Sequence, residues 1–176
     1  IFSNSDYGGY LGHQLMMRSY LPFLANQPYT DIADRVAEWN EESLPGILPN
    51  ILAGRVANRF DLGGPNYVLD AACASSITAL DHGVRELESG RTNVSLVGCA
   101  EFGQNPFAYT GFSKIQALSA QGRAKVFDKS ADGIVLSEGC VVFLLKRLED
   151  AERDGDKIHA VIKSVGTSSD GRGAAM

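Results

Sequence analysis

Short apolar runs alternate with helix-period segments along most of this chain, and that alternation constrains its fold more than any other feature. Tyr67, Val68 and Leu69 end one apolar run, after which Ile77, Leu80, Val84 and Leu87 recur at spacings of three and four, predicting one face of a helix. Further strands are predicted over 94–100, 140–145 and 158–165, with a helix or helix-like loop over 107–118. Strands and helices at such short spacings give a layered α/β sheet with a reactive residue at the end of a strand. At 176 residues, 44 % hydrophobic and 21 % charged, the chain is long and apolar enough to bury one core.

The candidate reactive residue is Cys73, in Asp70-Ala71-Ala72-Cys73-Ala74-Ser75-Ser76, where the first strand gives way to the helix. At such a junction backbone N–H groups and the positive end of the helix dipole favour thiolate over thiol. The same N–H groups could hold an oxyanion when the sulfur attacks a carbonyl. The small residues around it leave room for a substrate arm. Taken alone, one cysteine among alanines and serines is more often packing than chemistry.

Elsewhere the signals are structural. Asp6-Tyr7-Gly8-Gly9-Tyr10 reads as a glycine-bearing loop without the spacing of a phosphate cradle, and 15–24 show no clean period. Asp31 is placed to cap a helix carrying Ile32, Val36 and Trp39 on one face, ended by Pro45-Gly46. A second helix is predicted from Pro49, burying Leu52, Val56 and Phe60, with Ala53, Gly54 and Ala57 allowing close approach to a neighbour. Gly63-Gly64-Pro65 stops it, and Gly90 ends the helix after Cys73. Asp132 and Glu138 resemble an acid/base pair, but carboxylates beside glycines in loops more often cap turns or pair with an arginine such as Arg123. Glu149 and Arg153 are spaced for an i,i+4 pair on a short helix closed by Gly155. Cys99 reads as a small core residue, and His13, His82 and His159 as structural or solvent-facing rather than as bases or ligands.

A net charge of −5 argues against a nucleic-acid or anionic-membrane surface. The longest apolar run, 140–145, is too short to cross a bilayer. Cys73, Cys99 and Cys140 are too widely spaced for a disulfide framework or a Cys-x-x-Cys metal site, so a cytoplasmic location and no metal are expected. Asn93-Val94-Ser95 spells a glycosylation acceptor, but inside a predicted strand it carries no weight. Gly-x-Ser-x-Gly does not occur, which sets aside a serine hydrolase.

The run from Gly63-Gly64-Pro65 to Asp70-Ala71-Ala72-Cys73-Ala74-Ser75-Ser76 resembles the active-site segment of β-ketoacyl synthases, the condensing enzymes of fatty-acid and polyketide synthesis. In the same order as in that family stand Pro49-Asn50-Ile51-Leu52-Ala53-Gly54-Arg55, Gly111-Phe112-Ser113-Lys114 with Ala117-Leu118-Ser119, Phe127-Asp128 with Ala131-Asp132-Gly133 and Glu138-Gly139, and Ser168-Ser169-Asp170-Gly171. Ser137 and Cys99 depart from positions where glycine is common. The resemblance implies a thiolase-like layered fold (α/β/α/β/α), of which residues 1–176 would be most of the first half, an internal fragment of a ketosynthase domain. It implies that Cys73 is the acyl-accepting nucleophile and that Phe112 lines the acyl pocket beside it. The implied reaction is decarboxylative Claisen condensation with a malonyl extender, acyl and malonyl thioesters arriving on the phosphopantetheine of an acyl carrier protein. No cofactor of the domain's own and a homodimeric parent are implied as well. The two histidines that assist decarboxylation belong to motifs of the type His-Gly-Thr-Gly-Thr and Asn-x-Gly-His, and neither occurs here, so these 176 residues alone are expected to be inactive. Lys146 to Gly155 and the alanines flanking Cys73 look closest to ketosynthases of multidomain polyketide and polyunsaturated-fatty-acid synthases. A thiolase-type condensing enzyme and a non-catalytic chain-length partner are the alternatives, the second weakened by the presence of Cys73.

Overall fold

The computed structural model describes residues 1–4, 9–25, 36–169 and 171–172. Its centre is a four-stranded sheet in the order β2-β1-β3-β4, formed by β1 (Phe2–Asn4), β2 (Val68–Leu69), β3 (Val94–Glu101) and β4 (Gly139–Lys146). β1 lies parallel to both neighbours, with Phe2 opposite Val68 on one side and Gly98 on the other. β4 runs antiparallel to β3 along its whole length, from Val94↔Lys146 to Glu101↔Gly139. The helices are α1 (Gly9–Ala25), α2 (Ser43–Ile47), α3 (Pro49–Arg59), α4 (Ser75–Glu88), α5 (Pro106–Lys114) and α6 (Leu148–Asp154).

α4 packs on the sheet through its smallest residues. Ser75, Ala79, Gly83 and Leu87 are buried, spaced by four, and a Cβ on Gly83 would meet Val97 Cγ2 at 2.4 Å and Leu145 Cδ1 at 3.2 Å. Ile77, expected on the buried face, is instead 52 % exposed. Leu80 and Val84 are half-buried and Leu87 is buried, so the expected face holds except at Ile77, while the closest approach to the sheet is made by the small residues. On α3, which covers β1 and β2, Ala53 and Ala57 are buried as expected and Leu52 and Val56 are half-buried, whereas Phe60 follows the last turn and is exposed. On the sheet face opposite α4, the Phe2 ring packs over Gly98, where a Cβ would stand 2.3 Å from the ring. Helix, sheet and helix thus form three layers, with the core between α4 and β3.

Several expectations change. Residues 15–24, without a clean period, belong to α1, in which Leu15 is fully buried while Tyr20, Phe23 and Leu24 face solvent. Of the helix expected after Asp31, residues 31–35 lie outside those described, as do 5–8 of the glycine loop, Asp170 and 173–176. Residues 36–40 are not helical, because α1 takes their backbone groups: Ala37 N donates to Gln14 Oε1 at 2.8 Å and Arg18 Nη1 donates to Val36 O at 3.1 Å. Pro45 and Gly46 lie inside α2, whose first turn tolerates a missing N–H. The strand expected at 158–165 does not form: the segment pairs with no strand among the described residues, and Ile158, Val161 and Ile162 are exposed. Arg153 pairs with Asp150 and Asp154 rather than Glu149.

That exchange of partners belongs to a clamp. Arg147, just before α6, donates from Nη1 to Leu87 O and Thr92 O, both at 2.8 Å, from Nη2 to Asn93 Oδ1 at 2.7 Å, and from Nε to Asp150 at 2.6 Å. One guanidinium fork therefore ties the end of α4, the start of β3 and α6 together. Asp150, gripped first by Arg153 and then by Arg147, is held below the usual carboxylate range.

Candidate active site

Cys73 stands in a single 3-10 turn, Ala72–Ala74, between the end of β2 and the first turn of α4. The backbone reverses there by placing Ala72 at φ +49°, a left-handed conformation uncommon for a residue with a Cβ. Side chains on either side hold that turn. Asp70 Oδ1 accepts from Ala72 N at 2.8 Å, Ser75 Oγ accepts from Ala71 N at 2.8 Å, and the same hydroxyl donates to Ala72 O at 2.7 Å. Ala71 to Ala74 are exposed and Ser75 is buried beneath them. The thiol is thus presented outward on a turn fixed from below.

Sequence reasoning takes Ser75 for a small residue that leaves room; it is the tie of the turn. The signal is present, since Asp and Ser bond the backbone two to four residues away and so stabilise turns. Ala74, the N-cap of α4, brings no capping side chain, and the 14-residue helix directs the positive end of its dipole at the turn.

Phe112 is half-buried on α5, and its carbonyl accepts from Ala117 N at 3.0 Å. α5 makes no extended packing contact with the Cys73 turn or with α4. Asp132 and Glu138 do not meet as an acid/base pair. Asp132 Oδ1 accepts from Ser119 Oγ at 2.8 Å, closing a loop in which Leu118 bridges Ile134, and Glu138 Oε1 accepts from Gln104 N at 3.3 Å. Arg123 pairs with neither; its backbone N–H donates to Ser119 Oγ. The Ser119 hydroxyl holds the Asp132 carboxyl below the usual range. Gly133, at φ +148°, lies so close to the 117–119 backbone that a Cβ would stand 2.4 Å from Ser119 N.

His13 bonds Gly9 O at 2.8 Å within α1, and His82 meets the Tyr67 hydroxyl at 3.1 Å, both apart from the thiol's turn. Burial, with Glu86 nearby, pushes the Tyr67 hydroxyl pKa up. Cys73, Cys99 and Cys140 are all free thiols, Cys99 half-buried in β3 and Cys140 exposed on β4. Among the described residues no cluster of His, Cys, Asp and Glu could hold a metal, and no helix is long and apolar enough to cross a membrane.

Residues 4–151 match the family described as beta-ketoacyl synthase, N-terminal domain. One chain of a polyunsaturated fatty acid synthase from Thraustochytrium is 40 % identical over 139 residues, 79 % of this chain and 5 % of its own length. An orsellinic acid synthase of Beauveria bassiana is 42 % identical over 126 residues, 72 % of this chain and 6 % of its own length. Among solved structures, an oxazolomycin ketosynthase domain from Streptomyces albus superposes with a TM-score of 0.65 at 31 % identity, over 89 % of this chain and 24 % of that one. The ketosynthase from module 6 of the Bacillus subtilis bacillaene synthase gives 0.62 at 33 % identity, over 69 % of this chain and 22 % of that one. The chain therefore spans about a twentieth of these curated relatives and about a quarter of the solved ketosynthases. The layered fold is that of these ketosynthases, of which the described chain is a part.

Proposed function

The chain belongs to the β-ketoacyl synthase family, and on that premise we propose that Cys73 is the nucleophile of a decarboxylative Claisen condensation within a multidomain polyketide or polyunsaturated-fatty-acid synthase. The observation that carries this reading is the exposed thiol on a turn that Asp70 and Ser75 lock from below. A nucleophile held on a rigid strand-to-helix turn needs little reorganisation to meet a carbonyl.

The sulfur attacks the carbonyl of an acyl thioester carried on the phosphopantetheine of an acyl carrier protein. The carrier's C–S bond breaks, its thiol leaves with a proton, and the acyl group remains on Cys73. A malonyl thioester then loses carbon dioxide, and the resulting carbanion attacks the Cys73 thioester. The new carbon–carbon bond forms as the cysteine sulfur leaves. Exposed Ala71 to Ala74 leave space for a thin pantetheine arm. Phe112 borders the acyl chain. The second stage requires the two histidine motifs, which these 176 residues do not contain, so these residues supply the acyl-accepting cysteine and not the condensation. Residues 1–176 are read as most of the N-terminal half of one ketosynthase domain, working as a homodimer in its parent.

Incubation with an acyl-N-acetylcysteamine thioester, followed by intact-mass and peptide mapping, tests the reading. One acyl group is expected on the Cys73 peptide and none in Cys73→Ala. Acylation confined to Cys140, or unchanged in Cys73→Ala, would overturn it.

A further inference from the structure

Cys73 is delivered by an arm that the sheet holds lightly. β2 is the outer strand on that side and only two residues long, joined to β1 at Phe2↔Val68 and Ser3↔Leu69. Just before it, Phe2 N donates to Tyr67 O at 3.1 Å. The chain enters this arm through Gly63 and Gly64, both exposed, and a Cβ on Gly63 would meet nothing within 4 Å. The bonds that Asp70 and Ser75 make to the turn lie within residues 70–75, and they leave the angle between β2 and α4 to other contacts.

A side-chain bond spans that angle. The Tyr67 hydroxyl, at the start of the arm, meets Nδ1 of His82 on α4 at 3.1 Å, across 15 residues of sequence with Cys73 between them. The two rings also meet edge to face, with centroids 6.1 Å apart and planes at 65°. Tyr67 is half-buried, and burial, with Glu86 nearby, lets the phenol keep its proton to a higher pH than an ordinary tyrosine, so it remains a donor. With the imidazole neutral and its proton on Nε2, Nδ1 is the acceptor.

We propose that Tyr67 and His82 are positioning residues for Cys73, their hydrogen bond bracing the arm against α4 so that the thiol stays over the first turn of the helix. The inference rests on Cys73 as the reacting thiol. A sulfur displaced by about 1 Å loses its alignment with an incoming carbonyl and its place beside the amides that favour thiolate. The pair acts through the turn and not on the reacting atoms.

The full chain and its variants are compared by the rates of Cys73 alkylation with iodoacetamide and of acylation with an acyl-N-acetylcysteamine thioester, both read by peptide mass, with urea midpoints recorded in parallel. Tyr67→Phe, which keeps the ring and removes the hydroxyl, and His82→Leu are each expected to slow both reactions about fivefold. The double variant is expected to be no slower than either single one, because a shared bond is lost only once. His82→Asn, whose Oδ1 can stand where Nδ1 does, is expected to stay within about twofold of the natural chain. Equal slowing by His82→Asn and His82→Leu would show that ring packing rather than the hydrogen bond governs the thiol. That outcome, or unchanged or faster alkylation in Tyr67→Phe, overturns the inference. Alkylation that responds as expected in a chain that takes no acyl group supports the brace and overturns the acyl-transfer reading, so the two fail separately. Should His82→Leu fail to fold, Tyr67→Phe and His82→Asn decide it.

Discussion

Backbone strain beside Cys73 sits on one residue. Ala72 holds φ +49° because Asp70 and Ser75 bond its N–H and C=O, so the strain is offset locally and the thiol stays presented. Ala72→Gly is expected to leave stability within about 0.5 kcal/mol, whereas Ala72→Val should lower it by about 2 kcal/mol, both read from urea midpoints. Ser75→Ala should leave the chain folded but slow acylation of Cys73, since the turn loses two bonds at once. Asp132 gives a pH test. Its folded pKa is depressed by the Ser119 hydroxyl, so its contribution is present above the ordinary aspartate pKa and is lost as pH falls through the lowered folded value. In Ser119→Ala the carboxyl-carbon titration of Asp132 is expected to move up toward the ordinary range, and the acid-side dependence of stability to flatten. The strand-to-helix junction that holds Cys73 was legible; the part Ser75 plays in it was not, because a serine that ties a turn and a serine that merely leaves space are the same letter until the chain reverses.

The elements were read more surely than their faces. α3, α4, β3 and β4 stand where periodicity and punctuation placed them, but the most buried positions include small residues, Ala53 and Ala57 on α3 and Ser75, Ala79 and Gly83 beside Leu87 on α4, while Leu52, Val56, Leu80 and Val84 are half-buried. A search for bulky periodic residues finds the inner half of such a helix but not the line of closest approach. Gly83→Ala is expected to cost about 2 kcal/mol, because the new Cβ meets Val97, itself 2 % exposed and unable to withdraw. Ile77→Ala, on the face the pattern favoured, should cost well under half of that. The Arg147 clamp escaped notice because its acceptors, Leu87 O and Thr92 O, are backbone groups distant in sequence. Arg147→Ala leaves both carbonyls without that donor and is expected to lower stability by about 2 kcal/mol; Arg147→Lys should recover only part, having no planar fork.

For the whole molecule, the sheet ends on an apolar edge. Val141, Val142, Phe143 and Leu144 are 50, 48, 51 and 72 % exposed, so β4 offers both faces and one row of backbone groups to a partner. The isolated 176-residue chain is expected to self-associate, seen by light scattering, and Val142→Lys with Phe143→Lys to shift it toward monomer. The missing strand at 158–165 belongs to the same scale: its β-branched sequence was readable, but a strand exists only where another strand pairs with it, and local pattern does not report that.

The reversed direction of β4 has a further result. β3 ends and β4 begins at the edge of the sheet where β2 delivers Cys73, so everything between Glu101 and Gly139, Phe112 and the Asp132 loop included, is looped out at that edge. The return trip ends at Lys146, directly against the arginine clamp. Insertion or exchange within 102–138 is therefore expected to leave the strand pairing and the fastening at the opposite edge untouched, which makes the segment separable from the frame that carries it.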